Sequence, residues 1–124
     1  MKLTAHMEDY LEAVAFCADA EGTARVSAIR DLLGVKTPSV TGAMKILAAE
    51  GYVVRAPYSA IRLTAKGRRA AEDVKKRHAL FKHFLEDVLG VNPKTAEEDA
   101  CKMEHTVSKE TIRKLCAYLD KKNS

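Results

Sequence analysis

No stretch of the chain approaches the roughly 18 apolar residues that a membrane-spanning helix needs. No basic segment followed by an apolar run opens it, so a secretory leader is not expected. Cysteine is scarce, with three residues at positions 17, 101 and 116. An odd, scattered set is a poor disulfide framework, and a reducing, cytoplasmic setting is the expectation. Internal repeats and low-complexity segments are missing. So are a Gly-rich phosphate cradle and an oxyanion loop, and 124 residues leave little room for a pocket-sized fold. These absences weigh against a hydrolase and against an enzyme generally. What remains is ordinary for a soluble globular protein, with 47% hydrophobic and 31% charged residues. The length suits one domain, or two small units sharing a long helix.

The net charge of +4 is unevenly spread. From Arg25 to Arg77 there are 12 Lys/Arg against 4 Asp/Glu, and the remainder holds 9 basic and 13 acidic residues. A basic segment inside an otherwise acidic chain is the electrostatic footprint of nucleic-acid binding on one face.

Periodicity predicts a mainly α chain. Met7, Tyr10, Leu11, Val14 and Ala18 follow helical spacing from Thr4, a good N-cap, to about Ala20. Asp9 and Glu12 lie three apart on the flank of that stripe, a pattern also usual for solvated helix charge. Ser27 is expected to cap a short helix ending at Gly34. Thr37 as N-cap with Pro38 after it starts the next helix, which Gly51 stops. Val40, Ala43, Met44 and Leu47 form its apolar face, while Pro38, Thr41, Gly42 and Lys45 face the other way. Two short helices across a Gly-containing turn, the second with a small, polar outer face, form the helix-turn-helix pattern. Tyr52 to Arg55 and Ile61 to Thr64 read as two strands joined by Ala56–Ala60, a hairpin wing. The expected DNA-contacting set is Arg25, Ser27, Lys36, Thr37, Pro38, Ser39, Thr41, Gly42, Lys45, Arg55, Tyr58, Ser59 and Arg62.

Thr64 caps a long helix to about Leu89, basic in its first half and apolar in its second. A soft boundary within it gives a DNA-binding unit, 1–74, and a helical unit, 75–124. Asn92-Pro93 starts a helix to roughly Thr106, and Ser108 caps the last one, with Lys121 onward expected to fray. Ala96, Ala100, Met103, Val107, Ile112 and Leu119 have little left in the chain to cover them, so a two-fold homodimer is expected. Such a dimer supplies two recognition helices for a palindromic site.

Cys101, Glu104 and His105 stand at i, i+3 and i+4 of the fifth helix, on one face of about one turn. Thiol, carboxylate and imidazole suit a transition metal. A Cys–His nucleophile or a structural cysteine beside a surface histidine would have the same spacing.

Taken together, these residues resemble the metal-dependent repressors typified by the diphtheria toxin repressor and the manganese transport regulator. The resemblance covers nearly the whole chain. It rests on Met7-Glu8-Asp9-Tyr10-Leu11-Glu12, Thr37-Pro38-Ser39-Val40-Thr41, Leu63-Thr64-Ala65-Lys66-Gly67, Arg77-His78 and Cys101-Lys102-Met103-Glu104-His105. It implies an N-terminal winged helix-turn-helix followed by an α-helical metal-binding and dimerisation unit, in a short form without an SH3-like domain. It also implies a divalent ion held by Asp9, Glu12, His78, Cys101, Glu104 and His105, binding to a double-stranded operator, and control of metal-homeostasis genes. The iron branch has a Cys matching Cys101 but a Met at position 9. The manganese branch has the acidic pair but a carboxylate at 101. A thiolate favours softer ions, so Fe(II) comes first and Mn(II) second, with Co(II), Ni(II) and Zn(II) as surrogates. The iron branch's ancillary site would use His78 with a carboxylate at 82, but Lys82 stands there, and His83, Glu97 and Glu98 are the nearby alternatives. At Gly42 the iron branch has a Gln, so its operator preference does not carry over.

The expected mechanism is repulsion among Asp9, Glu12 and Glu104 without metal, and coordination with it, fixing the first helix and the spacing of two recognition helices. Two competing readings are a metal-independent winged-helix regulator, sensing a small ligand or using a redox-active Cys17 or Cys101, and a small metal-dependent hydrolase.

Overall fold

A computed structural model describes residues 3–122. Two compact units divide between Asp73 and Val74. The division falls inside the long helix.

In the first unit, helix α1 spans Ala5–Cys17, and the Thr4 side chain caps it by accepting from the Met7 amide at 3.1 Å. The helix stops short of Ala20. Ala18 is already extended, and Asp19 Oδ1 takes over by accepting the amides of Glu21 and Thr23 at 2.9 and 3.0 Å. The Thr23 amide also holds the Asp19 carboxyl below its usual range. Strand β1, Thr23–Arg25, follows. It was not expected, because three residues are too few to show an alternation.

Helix α2 covers Val26–Leu33 with Arg25 as its N-cap. Ser27 is therefore inside the first turn and does not cap it, since β1 delivers the chain already extended at Arg25. Gly34 ends α2 in the left-handed conformation (φ 66°). Helix α3 spans Thr37–Ala49 with Lys36 as N-cap and Pro38 in the first turn. Thr37 is likewise inside the helix, and its hydroxyl accepts from Arg30 Nη1 at 3.2 Å.

Strands β2, Val53–Ala56, and β3, Ala60–Leu63, form the expected hairpin. The sheet is antiparallel in the order β1-β3-β2, with Ala24 opposite Ile61 and Val54 opposite Arg62. Tyr10, Leu11, Val14, Ile29, Val40, Met44, Leu47, Val53 and Ile61 are buried in one core. That core joins the inner faces of three helices to one face of the sheet, and leaves the outer face of α3 and the wing to solvent.

Helix α4, Ala65–His83, starts on the Thr64 hydroxyl, which accepts from the Gly67 amide at 3.1 Å. In the second unit α4 widens into a single π-helical turn, Phe84–Val88, with Leu89 donating to the Phe84 carbonyl at 3.2 Å. Helix α5, Pro93–Thr106, is capped by the Asn92 side chain. Helix α6, Lys109–Lys122, is capped by Ser108 Oγ, which accepts the Thr111 amide at 3.2 Å. Its last described turn stays helical through Lys122, where fraying was expected from Lys121, and residues 123–124 lie outside the described residues.

The expectation of an uncovered apolar surface on these helices needs correction. Ala96, Ala100 and Leu119 are buried, α5 packing on the π turn, whereas Met103, Val107 and Ile112 are half-buried. The large apolar side chains left exposed in this unit, among the described residues, are Leu89 and Tyr118. Among the described residues, no helix is long and apolar enough to cross a membrane.

Candidate metal centre and nucleic-acid interface

The second unit gathers its chemistry around one imidazole. His78 comes from α4, and Glu97, Cys101 and Glu104 come from successive turns of α5, spaced i, i+4 and i+7. His78 Nδ1 lies 2.7 Å from Glu104 Oε2 and 3.8 Å from Cys101 Sγ. His78 Nε2 lies 3.0 Å from Glu97 Oε1. Glu104 is 2% exposed, and its other oxygen lies 3.2 Å from His105 Nε2. Ligand atoms of His78, Glu97 and Cys101 all fall within 4.8 Å of one another.

This donor set fits a divalent transition metal. It offers imidazole nitrogen, thiol sulfur and carboxylate oxygen, the ligand types such ions take. Its spread is close to the span of two bonds of about 2.0–2.3 Å.

The charges in the cluster offset one another. Burial alone would push the His78 imidazolium toward deprotonation, but the carboxylates of Glu97 and Glu104 outweigh it and hold His78 above its ordinary value. Glu97 is held below the usual carboxylate range, first by His78 and then by Lys82. Lys82 Nζ lies 3.1 Å from Glu97 Oε2 and 4.0 Å from Glu86 Oε2, and Glu97 raises its ammonium above the ordinary lysine value.

Of the ligands expected from sequence, the second unit brings His78, Cys101, Glu104 and His105 into contact pairs. Asp9 (exposed) and Glu12 (half-buried) lie on α1 of the other unit. Among the alternatives for an ancillary site, Glu97 joins His78, but His83 does not. His83 Nδ1 instead meets Asp87 Oδ2 at 2.5 Å, one turn along. Glu98 is exposed on the next position of α5. The central place of Glu97 was understated in sequence. The readable signal was its i, i+4 spacing to Cys101, matched by the same spacing of His78 and Lys82 on α4.

In the first unit, twelve of the thirteen expected DNA-contacting residues are exposed and Thr41 is half-buried. Thr41 donates its hydroxyl back to the Thr37 carbonyl at 3.1 Å. At the wing tip, Tyr58 is 88% exposed, and both Tyr58 and Ser59 adopt left-handed backbone (φ 63° and 57°). Arg25 Nη1 donates to the Tyr58 carbonyl at 3.1 Å and ties the tip to the base of α2. Arg62 Nη2 donates to the Glu21 carbonyl at 2.7 Å. A groove of about 290 Å³ runs between α3 and the wing, lined by Val26, Thr41, Met44, Arg55, Ala56, Ser59, Ala60 and Ile61. The sequence did not show Arg30 bracing Thr37, because that pairing crosses the helix-turn-helix turn.

Comparison with known proteins adds family context to both units. Residues 2–61 match the family model for the iron dependent repressor N-terminal DNA binding domain. Residues 64–123 match the iron dependent repressor metal binding and dimerisation domain. The chain is 37% identical over 116 residues to an uncharacterized HTH-type transcriptional regulator of Methanocaldococcus jannaschii, covering 93% of each chain. It is 36% identical over 112 residues to the transcriptional regulator MntR of Salmonella typhimurium, covering 90% of this chain and 71% of that one. Among solved structures, a manganese-dependent transcriptional repressor in complex with manganese superposes with a TM-score of 0.80 at 27% identity, over 92% of this chain and 52% of that chain. This chain thus spans about half the length of that structure.

Proposed function

The chain belongs to the iron dependent repressor family of metal-dependent, DNA-binding transcription repressors, and from that premise we propose that Fe(II), with Mn(II) second, switches its binding to a palindromic operator of metal-homeostasis genes in the cytoplasm. The family is one of dimeric DNA-binding regulators, not of enzymes. The observation that carries the proposal is the imidazole, thiol and carboxylate cluster of His78, Cys101 and Glu104, in a chain whose other unit is a winged helix-turn-helix.

Cys101 is the reason to put iron first. A thiolate binds Fe(II) better than Mn(II), whereas an all-oxygen and nitrogen set suits Mn(II). The manganese-bound structural relative is the reason to keep Mn(II) second. We assign the ligand set to Asp9, Glu12, His78, Cys101, Glu104 and His105. The two α1 carboxylates come in through the family resemblance. The bound ion would supply positive charge to which these side chains can all turn.

The chain's own groups then do the switching. His78 releases its proton and offers a nitrogen. The Cys101 thiol ionises. The carboxylates of α1 trade mutual repulsion for coordination, and α1 is buried in the same core as α3. Fixing α1 therefore fixes the recognition helix it packs with. In a dimer this sets the spacing of two such helices across successive major grooves. Coupling of about 1–3 kcal/mol is typical of such linkage and corresponds to about 5–150-fold tighter DNA binding.

The test is fluorescence anisotropy on a duplex selected from random sequence, with Fe(II) under anaerobic conditions, with Mn(II), and with chelator. Binding strengthened by ion and reversed by chelator is expected, and His105→Ala should abolish the ion's effect. Metal-stimulated binding that survives His105→Ala would defeat the proposed mechanism. Binding indifferent to chelator would favour a regulator that senses something other than a metal.

A further inference from the structure

The C-terminal end of α3 is held from outside the helix. Part of that end is closed by its own chain: the amides of Glu50, Gly51 and Tyr52 donate to the carbonyls of Ile46, Ala48 and Leu47 at 3.1, 3.1 and 2.9 Å. The next three carbonyls, of Glu50, Gly51 and Tyr52, are all taken by the start of α4. Lys66 Nζ donates to the Glu50 carbonyl at 2.8 Å. The Thr64 hydroxyl donates to the Gly51 carbonyl at 2.6 Å, and the Thr64 amide to the Tyr52 carbonyl at 3.0 Å. The Lys66 ammonium also lies 4.3 Å from the centre of the Tyr52 ring, within cation–π range, and Tyr52 is buried in the core with Met44 and Leu47. At the other end of α3, Arg30 Nη1 donates to the Thr37 hydroxyl at 3.2 Å. The helix is tied at both ends, with Thr41, Gly42 and Lys45 on its outer face between the ties.

We propose that Lys66 is a positioning residue of the DNA-binding unit: its ammonium fastens the end of α3 to α4 and is not a phosphate contact, although it lies within the basic segment. The inference rests on α3 being the helix that reads DNA, and not on which metal controls binding. The chemistry is that of a cation at a helix C-terminus, where the last carbonyls carry partial negative charge. To reach a phosphate, Lys66 would have to leave both a carbonyl and a ring. The cost of losing it therefore falls on the placing of the outer face of α3, which matters for base edges, and not on the charge that meets the backbone.

Lys66→Met keeps the stem and the helix propensity and removes the ammonium. The position is exposed, so the fold tolerates the exchange. Affinity for a duplex selected from random sequence, and for a scrambled duplex of the same composition, is measured by fluorescence anisotropy over a salt series, with Mn(II) present throughout. A hydrogen bond from a charged donor and an exposed cation–π contact together suffice to change an equilibrium about tenfold. The variant should bind the selected duplex about tenfold more weakly and the scrambled duplex as the wild type does, with the slope of log affinity against log salt unchanged. Amide hydrogen exchange in the Glu50–Tyr52 segment should quicken in the DNA-free variant. A slope reduced by about 0.9, with both duplexes weakened, would make Lys66 a phosphate contact and overturn the inference. Equal weakening on both duplexes at an unchanged slope would show only a loss of folded protein, and wild-type affinity on both, or unaltered exchange, would show that the tie does not position α3; each overturns it. A wild type without preference for the selected duplex would overturn the reading of α3 as well.

Discussion

Replacing Gly67 by Ala puts the seat of the wing to a quantitative test. A Cβ at position 67 would stand 1.9 Å from the Tyr52 carbonyl oxygen, 3.0 Å from its carbon and 3.2 Å from Leu63 Cδ2. An ordinary carbon-to-oxygen approach is about 3.3–3.6 Å, so more than an ångström of movement is needed. The obstacle is backbone, and it is pinned. Tyr52 O accepts from the Thr64 amide at 3.0 Å and from its hydroxyl at 3.1 Å, and the Tyr52 amide donates to the Leu47 carbonyl at 2.9 Å. Relief must therefore shift the junction of α3 and β2 against the start of α4. Such overpacking costs about 1–3 kcal/mol, against about 0.5–1 kcal/mol returned by exchanging a helical Gly for Ala. A net loss of up to about 2.5 kcal/mol follows, which lowers the melting temperature by up to about 20 °C in a unit of this size. Thermal unfolding of the full chain in chelator, followed by circular dichroism, reads this without metal linkage. Gly42→Ala is the control. Gly42 is helical, and a Cβ there meets nothing within 4 Å, so that variant should melt at or above the wild type. If Gly67→Ala melted as high as Gly42→Ala, the close approach would not constrain the fold and the reasoning would be wrong.

Three further outcomes are expected. Cys101→Glu should lower the affinity for Co(II), used as an air-stable surrogate for Fe(II), relative to that for Mn(II), as competitive titration with a metal dye would show; an unchanged ratio would remove Cys101 from the ligand set. Metal affinity should rise with pH, because His78 is held above its ordinary value and must lose its proton to coordinate. The sign is that of a raised histidine: the stabilisation from pairing with Glu97 and Glu104 is complete below the ordinary histidine range and is lost as pH rises through the raised value. Each proton released should contribute up to about tenfold in affinity per pH unit, and a flat profile from pH 6 to 8 by calorimetry would count against it. Lys45→Ala should reduce the slope of log affinity for DNA against log salt by about 0.9, the share of one phosphate contact; an unaltered slope would take Lys45 off the interface.

How legible each feature was in sequence depended on its range. Helix periodicity and the side-chain caps at Thr4, Thr64, Asn92 and Ser108 were readable, because each is set by residues within four positions. Ser27 and Thr37 are good capping residues that do not cap. One lies past the helix start that β1 imposes, and the other gives its hydroxyl to Arg30. Strand β1 was illegible because it exists only by pairing with β3, some 37 residues on. The cluster on α5 showed in its i, i+3, i+4 spacing, yet spacing could not reveal that His78 would join it through both ring nitrogens. The apolar surface on α5 and α6 was misread for the same reason. Ala96 and Ala100 read as unpartnered, yet both are buried, on a helix that packs against the π turn.

The arrangement around His78 also alters the picture of the metal-free state. Carboxylates read from sequence alone suggest a centre held apart by repulsion. The expected repulsion is that of Glu104 with Asp9 and Glu12; within the second unit, the charges of Glu97 and Glu104 are met by His78 and Lys82 at 2.7–3.1 Å. Two anions and two cations leave these four groups formally neutral while His78 is protonated. On the proposed ligand set, an incoming divalent ion would have to displace a proton from His78, beside the buried Glu104. On that proposal, the threshold of the response would be a competition between ion and proton for His78. Lys82 pairs with Glu97 at 3.1 Å and so adds to the positive charge that such an ion would meet there.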